Sequence, residues 1–231
     1  MDLTTAFDGK GGDAKGNAWT VVVRLGDADG SSAHPHLRRL LAAVSTPLPV
    51  PLQRTLSDAV HAICDVHGRF PGMIEDALAH ARQPEALPWI EIAARSFAAE
   101  RTFLAQLTAA VGPVPSTPGQ AETEAALAGL RHALGMLGGS GRAGCASGAI
   151  AALLYDWVAV RGVLDVAASR LEVDAPALSI PTPDDCAAIV PRLGTGAGRE
   201  RAIAFGAQQF YAQHRGLWSL LEARASARGD L

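Results

Sequence analysis

Four stretches of this 231-residue chain repeat apolar residues at intervals of three and four, each for 25 residues or more. An α-helix turns once every 3.6 residues, so this spacing lays a continuous apolar stripe along one face. The stretches run from about Thr55 to Arg82, Leu87 to Val111, Ala143 to Leu171 and Arg199 to Ala227. At 1.5 Å per residue each is about 40 Å long. Stripes of that length need another apolar surface to cover them, so the fold expected is all-α, with the long helices packed on one another.

The residues that break the stripes are as informative as those that form them. The first face reads Leu56, Val60, Ile63, His67, Phe70, Ile74, Ala77, and the second Ile90, Ala93, Phe97, Glu100, Leu104, Leu107, Val111. The third reads Ala149, Leu153, Asp156, Val160, Val163, Ala167, and the fourth Ile203, Ala207, Phe210, His214, Leu217, Leu221. Each carries one ionisable residue near its middle: His67, Glu100, Asp156 and His214. Helices packed side by side with level ends would bring the four together at mid-height. An isolated buried carboxylate costs several kcal/mol unless it is paired, protonated or metal-bound. Three readings follow: a satisfied hydrogen-bonded network, a pocket for a small molecule, or a metal site of imidazole and carboxylate suited to iron, manganese or zinc. In the metal reading His67, Glu100, Asp156 and His214 are the ligands, and Tyr155 and Tyr211 are outer hydrogen-bond donors to them.

Two long helix pairs, a long connection between them and inward polar residues resemble the ferritin-like superfamily. That resemblance implies an antiparallel four-helix bundle with a metal centre, and an oxidoreductase as one outcome. It covers about Thr55 to Ala227. The ligands depart from the family pattern: His67 stands where a glutamate is usual, Phe103 follows Glu100 where a histidine is usual, and Tyr211-Ala212-Gln213-His214 has tyrosine in place of glutamate.

Glycine and proline divide the rest of the chain. Gly68 and Pro71-Gly72 predict a kink or break in the first long helix. Pro88 suits a first turn, and Gly112-Pro113 is a stop. A shorter helix is expected over about Ala121–Leu137, ended by Gly138-Gly139-Ser140-Gly141, and a short helical piece at Asp184–Val190. Upstream, residues 1–17 are polar and glycine-rich and are expected to be mobile. Trp19-Thr20-Val21-Val22-Val23 reads as a short strand, with a partner near Leu171–Ile180, and His36–Ser45 as a short helix. The division expected is an N-terminal segment over 1–50 and a helical domain over 51–231.

Composition removes several functions. The net charge is −3 and the only lysines are Lys10 and Lys15, so no basic stripe tracks nucleic acid. Three cysteines, Cys64, Cys145 and Cys186, are odd in number and far apart, which suits a reducing compartment and makes the cytoplasm the expected location. No run of 18 apolar residues predicts a membrane span. No Gly-Lys-Ser/Thr is present, and Gly194–Gly198 lacks the preceding strand of a dinucleotide fingerprint. Trp89, Trp157 and Trp218 sit beside apolar faces, as core packing or as the marker of a homodimer. The alternative to a ligand-binding protein is therefore a non-catalytic, self-associating one whose polar core is purely structural.

Overall fold

A computed structural model describes residues 17–42 and 49–231. Among them every regular element is helical, and nine are α-helices. The expected mobile stretch, apart from Asn17, lies outside the described residues, as do residues 43–45 of the expected His36–Ser45 helix.

The N-terminal strand is replaced by a helix, α1, Ala18–Asp29. Asn17 caps it by accepting the Thr20 N–H at 3.0 Å. Ala18, Trp19, Val22 and Gly26 are buried, a spacing of three and four that β-branched Val21 and Val23 tolerate. Leu171–Ile180, its expected strand partner, is instead the end of a helix and an irregular connection. A 3₁₀ turn at Ser31–Ala33 and α2, Pro35–Leu41, follow.

The first long helix breaks where glycine and proline stand, into α3, Val50–His67, and α4, Met73–His80. Helix α5 runs Leu87–Val111, with Pro88 in its first turn and Gly112 after its last residue. Helix α6, Gln120–Gly138, occupies the long connection. Then come α7, Cys145–Leu171, α8, Pro183–Leu193, and α9, Ala197–Ala227.

Contacts run from α3 to α5, α5 to α7, α7 to α9 and α9 back to α3, while α1 lies over α7 and α9. Helix α7 is buried on nearly every side, including Leu153, Leu154, Asp156, Trp157, Val160 and Arg161. It and α9 approach closely because Gly148 and Gly206 face each other's helix. A Cβ on Gly206 would drive into the Cys145 carbonyl, and one on Gly148 into the Ile203 carbonyl. Trp89, Trp157 and Trp218 are all interior, so core packing is their role. No helix of the described residues is long and apolar enough to cross a membrane.

Candidate functional site

Three of the four inward polar residues meet. His67 closes α3, Asp156 sits mid-way along α7 and His214 mid-way along α9, and all three are buried. Asp156 Oδ2 lies 2.6 Å from His214 Nδ1, and His214 Nε2 lies 2.8 Å from His67 Nε2. The order is therefore Asp156, His214, His67, in series. Ser31, brought in by the turn after α1, completes the carboxylate's shell. Its backbone N–H donates to Asp156 Oδ1 at 2.7 Å and its hydroxyl donates to Oδ2. The same hydroxyl accepts the Trp218 indole N–H at 2.7 Å. Gly30 permits this approach, since a Cβ there would stand 2.7 Å from Asp156 Oδ1.

Bonding sets the tautomers. A carboxylate only accepts, so His214 Nδ1 carries a proton and, with both rings neutral, its Nε2 offers a lone pair. His67 Nε2 then donates, and His67 Nδ1 is left as a lone pair that no described residue engages. Burial, then the neighbouring His214 and Arg101, holds the His67 pKa well below its ordinary value. A proton taken up at Nδ1 can be relayed: the Nε2 proton passes to His214, and the positive charge comes to rest beside Asp156.

His67 is also in the wall of a cleft of about 300 Å3 lying among the α3–α4 link, α5, α6 and α7. Phe70, Met73, Ile74, Phe97, Leu134 and Leu153 supply its apolar lining, and Arg69, Arg101, Arg131 and Asp76 its charges. The Phe97 and Trp157 rings stand edge-on to the His67 imidazole, with centroids at 6.3 and 5.3 Å.

Glu100 does not join the series. Its Oε1 accepts from Arg161 Nη1 at 2.8 Å and its Oε2 from the Trp157 indole at 2.9 Å. The pair is closed from solvent, with side chains 5% and 1% exposed. Arg161 also donates to Asp165 at 2.7 Å and to the Pro176 carbonyl. The guanidinium thus neutralises Glu100 and pins the connection after α7.

A family match now bears on the chain: residues 26–229 match a family of unknown function, DUF6975. The chain belongs to that family. No curated protein and no solved structure matches it.

The two tyrosines do not serve as outer donors to the series. Tyr155 donates to Asp27 at 2.6 Å, and burial, then Asp27, raises its pKa to about 12. The Tyr211 hydroxyl is buried against Gly26, has no hydrogen-bond partner among the described residues, and is pushed up by burial and then by Asp156. Neither donates to the mid-core carboxylates.

The donors as arranged do not fit a metal ion. Two nitrogens each about 2.1 Å from one tetrahedral ion stand about 3.4 Å apart, wider than the 2.8 Å between the imidazoles. Glu100 is occupied by a cation of the chain's own. Among the described residues no group of three or more His, Cys, Asp or Glu side chains is set to hold a metal.

Sequence reasoning missed Ser31 and Arg161. Ser31 lies in a turn and carries no periodic signal. Arg161 pairs with Asp165 one turn further along α7, but does so from a buried position. The available signal was the apolar character of α7 on both sides of that arginine.

Proposed function

We propose that this protein is a helical small-molecule-binding protein in which Asp156, His214 and His67 form a proton relay serving the cleft. His67 is the residue that meets the ligand, as acceptor or donor of one proton. Asp156 orients His214 and stabilises the charge that arrives there, and Ser31 and Trp218 hold the carboxylate in place. The single observation that carries this reading is that the relay ends on a residue of the cleft wall. A purely structural network has no need of such an outlet.

In architecture we infer a ferritin-like four-helix core formed by α3–α4, α5, α7 and α9, with α6 in the long connection. The closed order of helix contacts supports it. No metal or redox step is included, since the donor spacing does not suit an ion.

The test is a fragment screen read by ¹⁵N-histidine spectra. Fragments that shift the His67 ring nitrogens and lose binding in His67→Gln support the reading. A chemically varied library that leaves His67 unmoved refutes it.

A second reading, self-association around a structural polar core, is favoured by apolar side chains left in solvent, Phe70 at 77% and Met136 at 63% exposure. It requires a homodimer by light scattering, and a monomer at all accessible concentrations sinks it.

A further inference from the structure

We propose that the ligand of the His67 cleft is a small organic acid with one carboxylate and an apolar body, the carboxylate being held by Arg101. This rests on the cleft reading above and names the chemistry the cleft would select.

Arg101 projects from α5 into the cleft wall with its side chain only 10% exposed. A guanidinium has five N–H donors. Two are used, Nη1 on Glu75 Oε1 at 2.9 Å and Nη2 on Glu75 Oε2 at 2.6 Å. Glu75 is itself fixed by the Gly72 N–H at 2.9 Å, so this pairing holds the end of the guanidinium in one orientation. Arg101 Nε is buried and has no hydrogen-bond partner among the described residues. An arginine bound end-on to one carboxylate keeps a second edge, Nε with the remaining Nη hydrogen, that matches another carboxylate in bidentate fashion. The side chain is therefore nine-tenths buried, held in one orientation by Glu75 and unpartnered at Nε, in a residue of the cleft wall whose guanidinium Phe70 covers.

The neighbours limit what fits that edge. Phe97 lies against the guanidinium at 5.2 Å, and Phe70 covers it at 5.8 Å. Phe70 is 77% exposed, so it is the group that gives way to a ligand. Glu75 cancels the charge of Arg101. Arg69 and Arg131 share the single carboxylate of Asp65, at 3.1 and 3.0 Å, so that with Asp76 the three arginines and three carboxylates of the wall balance, and selection for an anion rests on the forked edge of Arg101 rather than on net charge. Asp76 lines the same cleft and opposes a second negative group. Phe97, Met73 and Ile74 suit an apolar body, and about 300 Å3 is at the small end of ligand pockets.

The experiment compares benzoate, neutral benzamide and doubly charged phthalate on the full-length protein, following the His67 ring resonances by NMR. Benzoate is expected to bind at least tenfold more tightly than benzamide and more tightly than phthalate. In Arg101→Lys, which keeps the charge opposite Glu75 but lacks the forked edge, the benzoate preference should fall to near one, with thermal melting as the check on folding. If benzamide shifts His67 as well as or better than benzoate, the acid class is overturned while the cleft reading stands. Phthalate binding more tightly than benzoate overturns the single-carboxylate requirement. No shift with any of the three overturns the acid class, and the chemically varied fragment library then decides the cleft reading separately.

Discussion

Removing Arg161 should be among the most damaging single changes in this protein. Its guanidinium and the Glu100 carboxylate are 2.8 Å apart, with side chains 5% and 1% exposed. Arg161→Met keeps length and apolar volume but leaves Glu100 with only the Trp157 N–H. Orphaning one member of a buried pair costs about 3–5 kcal/mol, against about 5–15 kcal/mol for a whole domain. At about 2–4 °C per kcal/mol in a chain of this size, the melting temperature should fall by roughly 6–20 °C. Glu100→Met alone leaves Arg161 still paired with partly exposed Asp165, so about 1–3 kcal/mol is expected. The double variant removes both desolvation penalties and should recover most of the loss. Urea unfolding followed by circular dichroism closes the cycle, with a coupling energy of about 3 kcal/mol expected. A coupling below about 0.5 kcal/mol would refute the argument that Glu100 is neutralised by a desolvated partner.

Three further outcomes are expected. His36 is fully buried with neither ring nitrogen bonded among the described residues, and burial, then Arg39, lowers its pKa from 6.5 to about 4 against the opposing pull of Glu222 and Asp58. The folded state then binds fewer protons than the unfolded one, so stability present above pH 6.5 is lost as pH falls toward 4, by up to about 3 kcal/mol; His36→Leu should flatten that slope, and an unchanged slope would count against it. Asp156→Asn can present an amide N–H to His214 Nδ1, which moves the His214 proton to Nε2 and turns His67 Nε2 into the acceptor; ¹⁵N shifts of both rings should show the tautomers exchanged, and unaltered shifts would discard the relay order. Calorimetric titration with Zn²⁺ or Mn²⁺ should show no one-to-one site that disappears in His67→Gln, whereas such a site would mean that the imidazoles part to admit an ion.

Much of the helical plan was legible because it rests on short-range rules. Pro88 and Gly112 bracket α5 as expected, and Gly68 with Pro71-Gly72 divides α3 from α4. The spacing of three and four also put His67, Asp156 and His214 on inward faces, which is a property of helix geometry alone. Glu100 was correctly read as buried by the same rule, yet periodicity says nothing about which residue answers it.

What only the tertiary structure decided depends on groups distant in sequence. Trp19–Val23 has strand propensity, but burying Trp19, Val22 and Gly26 together on α7 and α9 requires a helix, and that packing outweighs a propensity of about 1 kcal/mol. Ser31 reaches Asp156 across 125 residues, and Arg161 reaches Glu100 across 61. The cleft beside His67 exists because the chain breaks after α3 and α6 crosses the gap. A helix's own sequence specifies which side chains face inward, while the partner each one meets depends on how neighbouring helices slide and turn against it.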